Sequence, residues 1–591
     1  MWSSVSHMQD VHWEVRDHTK PGRPDALLAK ALGGCGIHNA MLYIRGLESD
    51  FEKWGLEGFD YVSATEIWKS LENYTGPGEL PSWHGRSGPI QTAPPSFIDE
   101  VAPFFLQSCE AAGIELTDDF NRPGGRTGAG YYDFTVRNGV RDSAARGMLG
   151  EIITRKDPRR NLDILTEARV DRVLLERKVK LERCSSSKPS YTRWHTLNAK
   201  GGVSHAAVGV EYTRNGETHA SRISLKESPR GHGSGAVVLT AGALHTPKVL
   251  MSSGIGNKGD LEAYGLRVLV DIPSLGRNLQ DHSSVGVMYT LGPDLLNLSP
   301  SAYTVAQELE RYKASVLKAF DMGCPPGEKM DSVDPDAVIN SRENTPSIFS
   351  SAGLSAGAFL KSPFRSHPEW ANSTAPDVQL TAFPRVTEPH ILALANVRPS
   401  AQASPMMLIT VAVLDPEGRS MVRLDPDDPV HGNPYISADD LNGAQEPLSD
   451  LDAKKLAWGL GEVRRIMMSP PLRGLHKGEV YPGPGFGGYD GKTAADNSNV
   501  VNWVREHVYS NSHWCGTARM GPASRTDTVV SEEMEVKGVS DLFVGDASLL
   551  PYIPNGNVHA TVLLVAQKLA TLLVERAARA RRVGDSGKGA F

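Results

Sequence analysis

Cysteine is scarce in this chain of 591 residues, and the five present, Cys35, Cys109, Cys184, Cys324 and Cys515, never fall as Cys-x-x-Cys. An odd, scattered set of thiols argues against a disulfide framework and against a zinc knuckle. Long apolar runs are missing too: no stretch reaches the about 18 residues that a membrane-spanning helix needs. The opening Met1-Trp-Ser-Ser-Val-Ser-His-Met8 has neither the basic nor the apolar region of an export signal, so a cytoplasmic chain is the default expectation. Positive charge is not in excess. With 62 Lys and Arg against 69 Asp and Glu the formal net charge is −7, which offers no field for nucleic acid. The expected partner is a small molecule.

What is present is the composition of an ordinary globular protein, 40% hydrophobic and 22% charged, long enough for about two to four domain-sized units. Apolar runs of strand length stand beside helical patterns. Ala236-Val-Val-Leu-Thr240 reads as a buried strand feeding a helix from Thr246 to Ser253, with Thr246 as cap, Pro247 in the first position and Gly254 as the left-handed stop. A second such unit closes the chain. Leu542 to Asp546 reads as a strand, Pro554 to Gly556 as a turn, and a long helix is predicted from near Asn557. Val562, Val565, Ala566, Leu569, Leu572 and Leu573 lie on one face of that helix, and its first half has no charge before Lys568. Its N-terminus is therefore left positive. Val378 to Phe383 and Met407 to Leu414 predict strands of a second sheet. Residues 291–350, 385–405, 184–204 and 214–234 read as polar loops.

The residues that carry chemistry come next. Ala29-Lys-Ala-Leu-Gly-Gly-Cys-Gly-Ile-His-Asn-Ala-Met-Leu-Tyr-Ile-Arg-Gly46 sets glycines at 33, 34 and 36 before a His-Asn pair. Such glycines let backbone approach a flat or charged ligand closely. This segment resembles the first signature of the glucose-methanol-choline oxidoreductase family. Gly242-Ala-Leu-His-Thr-Pro-Lys-Val-Leu-Met-Ser-Ser-Gly-Ile-Gly256 resembles its second signature at every constrained position. Gly276-Arg-Asn-Leu-Gln-Asp-His282, His513 to Gly521, Val544-Gly-Asp-Ala-Ser548 and Asn555-Gly-Asn-Val-His-Ala-Thr561 resemble further family blocks, in family order. The similarity runs from about residue 13 to 580.

The resemblance implies an α/β chain (α+β overall) with a doubly wound FAD-binding domain and a substrate-binding domain built on an antiparallel sheet with helices. The first would comprise 1–55, 135–290 and 495–591, the second 56–134 and 291–494. It implies oxidation of the CH–OH group of an alcohol, with oxygen or another acceptor regenerating the cofactor. His513 falls on the family's active-site base and Asn557 on its partner position. An imidazole can take the hydroxyl proton while an amide holds the oxygen. Gly33, Gly34, His38, Asn39, Ala40, Met41 and Leu42 are expected along the flavin, Val170 at adenine, Asp546 and Ala547 near the ribityl and pyrophosphate oxygens, and Val558 and His559 at the ring's polar edge.

Two departures from the family pattern stand out. Gly-Gly-Cys-x-x-His-Asn is similar to choline-oxidase-like members whose histidine bonds covalently to the flavin, so His38 is expected to tether FAD. No Gly-x-Gly-x-x-Gly turn precedes residue 30, and the chain is expected to lack the first nucleotide-binding unit. Two alternative readings remain on the same residues: a non-redox flavoprotein such as a lyase or photodecarboxylase, and an inactive remnant. The photodecarboxylase places Cys and Arg where this chain has Gly357 and Thr381, which counts against light-driven decarboxylation.

Overall fold

The computed structural model describes residues 12–19, 26–79, 81–153, 161–177, 205–223, 235–292, 353–364, 375–386, 406–438, 447–483, 485–486 and 497–586. The loops expected within 293–352, 387–405 and 184–204 lie outside the described residues. Two buried cores organise the rest. The first gathers side chains from Val15 to Trp68, Val173 to Leu279, Val422 to Ile436 and Trp514 to Leu569. The second gathers them from Val101 to Ala129 and from Val285 to Val508.

In the first core, Val237–Leu239 pairs in parallel with Leu542–Val544, and each strand feeds a helix. Among the described residues no third strand joins this pair, and Val238 is 40% exposed. The helix after the first strand differs from expectation. It runs Gly242–Ser252, so Thr246 is not its cap and Pro247 is interior. The cap is tertiary: the Asp546 carboxylate accepts from the Gly242 N–H (2.9 Å) and from the Thr246 hydroxyl (2.6 Å). Proline at 247 has no N–H for the Ala243 carbonyl one turn back. The Thr517 hydroxyl donates to that carbonyl at 2.6 Å instead. Gly254, with φ +80°, ends the helix as expected.

A second departure lies at 214–222. The expected polar loop is in part a hairpin, in which His205–Arg214 and Glu217–Arg222 pair antiparallel across Asn215-Gly216. Both turn residues have positive φ (53° and 78°), the two-residue turn that Asn-Gly favours because its twist matches the strands.

The closing helix, His559–Ser586, begins two residues after Asn557. Ala560, Leu564, Val565 and Leu569 bury its inner face in the first core. No described helix is long and apolar enough to cross a membrane.

The second core is built on a seven-stranded antiparallel sheet. Its order is His476–Tyr481, Ser283–Leu291, Met406–Val413, Val378–Val386, Ala356–Leu360, Gly128–Tyr131, with Tyr509–Ser510 added beside Ser283. The helix Asp450–Met467, capped by Ser449, covers one face together with Ala102–Ala111. Gly459 lets that helix settle onto the sheet, since a Cβ there would meet Val411 Cγ1 at 2.4 Å. Side chains alternate across a strand. Val378, Leu380 and Ala382 therefore point to the helices, and Gln379, Thr381 and Phe383 point the other way, Gln379 to Asn557 and Tyr132, Thr381 to Tyr132, and Phe383 into a smaller cluster with Met41, Leu42 and Phe134.

Candidate active site

His513 and Asn557 come from opposite sides of the closing unit and meet at one point. Asn557 Nδ2 stands 3.1 Å from His513 Nε2. The His513 backbone N–H donates to Asp281 Oδ1 at 2.8 Å, and Asp281 also accepts from Ser510. Asn557 is held by the turn before the closing helix, where the Asn555 N–H donates to buried Asp50 at 2.9 Å.

Three buried side chains back this pair that sequence reasoning left without a role. Nδ1 of His282 lies 2.9 Å from Nδ1 of His513, with the two rings nearly perpendicular. Gln379 donates from Nε2 to Asn557 Oδ1 at 3.5 Å and to the Tyr132 hydroxyl oxygen at 3.1 Å. Tyr132 in turn donates to the Leu380 carbonyl at 3.0 Å. His282 stands in the quoted Gln-Asp-His block, which was the signal available for it. Gln379 and Tyr132 carried no signal, because strand parity selects the first and the second lies just past the end of the strand Gly128–Tyr131. His513 and Asn557 keep partial exposure while His282, Gln379 and Tyr132 are buried, so the pair has one open side.

Burial pushes the His513 imidazole down to about 4. His282 is pushed well below its usual value by burial and by His513 beside it. Neither ring has a carboxylate hydrogen-bonded to it among the contacts described, so both are neutral at pH 7.

The first signature follows the expected path. Gly33 and Gly34 hold left-handed backbone (φ +100° and +57°) ahead of a single 3₁₀ turn, Gly34–Ile37. His38 caps the turn, half-buried, its ring 5.5 Å from that of His12. Burial, then His12 and Arg141, lower it to about 4. Asn39 Oδ1 accepts from the Met41 N–H (3.0 Å) and from Arg141 (2.6 Å). Met41 takes φ +63°, which a non-glycine residue holds only where its surroundings insist. Ala40 is partly buried, and Leu42 bridges to Phe134.

This segment touches the helix that follows Asn557. Gly36 packs so closely on His559 that a Cβ would meet its Cε1 at 3.3 Å. His559 is lowered to about 4, burial first and Arg141 second, so it adds no charge to the helix N-terminus. The first turn of that helix contains no acid, as expected. Val558 packs on the first core. Val170 sits farther off, on the strand Ala168–Arg177 opposite Tyr212. Asp546 is buried, and besides its helix-capping bonds it accepts from the Ser548 N–H at 2.8 Å, with Ala547 opening a 3₁₀ turn beside it. Its carboxylate is thus occupied by the protein itself.

These segments fit a flat, polar cofactor. His245 Nε2 in the second signature is a buried polar atom without a partner, and Gly34 presents open backbone with free space where a Cβ would stand. Buried orphans of this kind ordinarily have a partner. The fit is to the ring and ribityl portion; the pattern Gly-x-Gly-x-x-Gly does occur, at Gly254-Ile-Gly256-Asn-Lys-Gly259, but there it follows the helix Gly242–Ser252, whereas a nucleotide-binding turn follows a strand.

Comparison with known proteins agrees with this geometry. The GMC oxidoreductase family profiles match residues 19–284 and 416–566. The chain is 26% identical over 93% of its length to alcohol dehydrogenase [acceptor] from Pseudomonas putida, covering 82% of that protein. It is 25% identical to the chloroplastic fatty acid photodecarboxylase of Chlamydomonas reinhardtii, covering 92% of this chain and 77% of that one. It is 26% identical to oxygen-dependent choline dehydrogenase of Staphylococcus haemolyticus, covering 97% and 84%. The crystal structure of formate oxidase superposes with a TM-score of 0.73 at 18% identity, covering 98% of this chain and 91% of that one, which shows a shared fold. Matched in order by both the N-terminal and the C-terminal profile over most of its length, the chain belongs to the GMC oxidoreductase family.

Proposed function

We propose that the protein is an FAD-dependent oxidoreductase that oxidises the CH–OH group of a small alcohol. One observation carries the reading: a neutral imidazole and an amide, His513 Nε2 and Asn557 Nδ2, converge at 3.1 Å on the open side of a buried polar cluster. An alcohol hydroxyl entering between them donates its proton to His513 Nε2 and accepts from the Asn557 amide. Proton removal raises the electron density on the α-carbon, and the amide holds the oxygen so that the C–H bond stays aligned. FAD, when bound, supplies the acceptor for the hydride, and oxygen or another acceptor takes the electrons afterwards. The alcohol leaves as its carbonyl compound, having lost one proton to His513 and one hydride.

Gly33, Gly34, His38, Asn39, Ala40, Met41 and Leu42 would hold the ring, with Val558 and His559 at its edge, Asp546 and Ala547 near the ribityl chain and Val170 at adenine. His38, neutral in this setting, would tether it. The first core is read as the cofactor-binding unit and the second as the substrate-facing unit, with limits that depart from those expected: Leu56 to Trp68 and Val422 to Ile436 pack in the first core, Val285 to Tyr289 and Val500 to Val508 in the second. The relatives named for alcohol and choline oxidation support the reaction class. Gly357 and Thr381, paired across the sheet, supply no thiol and no guanidinium at the positions where the photodecarboxylase-like reading needs them.

The test is anaerobic bleaching of the flavin bands by a panel of small primary alcohols. Bleaching by at least one alcohol, lost in His513→Gln with flavin still bound, is expected; flavin that no alcohol bleaches overturns the reading. After denaturation the yellow colour is expected to stay with the chain, and its full release removes the tether.

A further inference from the structure

An imidazole can act as a base only through the nitrogen that carries no proton, so a general base needs its tautomer chosen in advance. Hydrogen-bond direction around His513 can be followed from a fixed end. The Leu380 carbonyl only accepts, so the Tyr132 hydroxyl donates to it, and the Tyr132 oxygen is left to accept from Gln379 Nε2. The same Gln379 amide donates to Asn557 Oδ1, over a longer 3.5 Å. That orients the Asn557 amide with Nδ2 toward His513, whose Nε2 must then be the acceptor. The proton of a neutral His513 therefore resides on Nδ1, and the atom it faces at 2.9 Å is Nδ1 of His282.

We propose that His282 is a positioning residue that locks His513 in its Nδ1–H form by accepting that proton's hydrogen bond, so that the Nε2 lone pair, which accepts from Asn557 in the resting protein, is the one met by a substrate hydroxyl entering between them. The inference rests on reading His513 as the base. His282 must accordingly keep its own proton on Nε2. No group meets that buried atom at hydrogen-bonding geometry, but the nearby backbone of Leu414 and Pro554 raises the ring's affinity for a proton, which favours one there. A carboxylate in the place of His282 would hold the same tautomer but would also favour a charged His513 in the resting protein. A neutral histidine sets the proton's position without doing so. The device runs from the second core, through the face of its sheet that carries Gln379, into the closing unit of the first.

The experiment uses the FAD-loaded full chain. His282→Leu removes the acceptor and is expected to slow anaerobic flavin reduction at saturating alcohol on the order of 10² to 10⁴-fold, the range seen when a catalytic histidine loses the partner that fixes its tautomer or its role as base. KM is expected to change by less than about threefold, because the substrate-facing atoms stay in place. His282→Asn, whose Oδ1 can sit where Nδ1 sits, is expected to recover the rate to within about tenfold of the unaltered protein. Reduction of His282→Leu at the unaltered rate, or no recovery in a folded, flavin-loaded His282→Asn, overturns the proposal.

A readout independent of turnover separates it from the functional reading. In ¹⁵N-histidine-labelled unaltered protein, with His513 assigned by the signals that His513→Gln removes, Nδ1 is expected protonated and Nε2 unprotonated. A protonated Nε2 overturns the proposal even if the enzyme is active. Should no alcohol bleach the unaltered protein, the functional reading fails and the tautomer signals still decide this one.

Discussion

Two buried histidine clusters in this molecule have opposite charge states, and the difference lies in what surrounds each ring. His84 sits between two carboxylates, its Nδ1 2.9 Å from Glu72 and its Nε2 3.0 Å from Asp119. Burial works against its charged form, yet the hydrogen bonds and charges of Asp119 and Glu72 outweigh burial and hold it up to about 9. Arg45 donates to Glu72 at 2.7 Å and Trp83 to Asp119 at 2.6 Å, so the cluster is fully engaged. His513 and His282 have each other and an amide. With no opposite charge to offset desolvation, they stay neutral. The first cluster cannot give up its proton cheaply, which suits a structural link between strands, whereas the second can receive one, which suits a base.

The comparison can be broken from either side. The largest expected effect is on rate: His513→Gln should lower alcohol-dependent flavin reduction by about 10² to 10⁴-fold in stopped-flow measurements, with flavin content retained. Next is stability. His84→Leu leaves Asp119 and Glu72 buried beside a missing cation, and urea unfolding should show a loss of about 3–5 kcal/mol. Activity per folded molecule should hold, since none of the described contacts of His84 reaches His513.

Thr517→Val should cost about 1–3 kcal/mol in the same assay, because it strands the Ala243 carbonyl beneath Pro247. The smallest effect is kinetic. With His513 lowered to about 4, the base is already deprotonated across neutrality, and kcat/KM should change less than about twofold between pH 6 and 8. A rate that climbs tenfold across that window contradicts the neutral assignment.

Stability should vary with pH in opposite senses for the two clusters. His38, His245, His513 and His559 are lowered from 6.5 to about 4, so the unfolded chain binds more protons between those values. Their share of stability is present above pH 6.5 and falls away toward pH 4. His84 is raised to about 9, so its contribution is complete below pH 6.5 and is lost as pH rises through 9. Thermal melting of His84→Leu should no longer show the fall in stability between pH 6.5 and 9 that His84 contributes.

The helix at Gly242–Ser252 and the Asn215-Gly216 hairpin show how far local reading reaches. Thr246 and Pro247 form a good local start signal, yet the Asp546 carboxylate, some 300 positions away in the chain, draws the first turn back to Gly242. Asn-Gly between alternating residues was a legible hairpin signal, hidden by the polar composition of 214–234.

Within the chain's own order of residues lay the family blocks, the antiparallel sheet, the acid-free start of the closing helix and the identities of His513 and Asn557. Those depend on short segments whose local chemistry is the same wherever they sit. Folding alone decided that Gln379, Tyr132 and His282 stand behind that pair. Which face of a strand a side chain takes, and which ring nitrogen finds a donor, follow from sheet register and from contacts between residues up to 250 positions apart. The neutrality of His513 has the same origin: an imidazole acquires its pKa from the water it loses and the charges it meets, and both are properties of the assembled core.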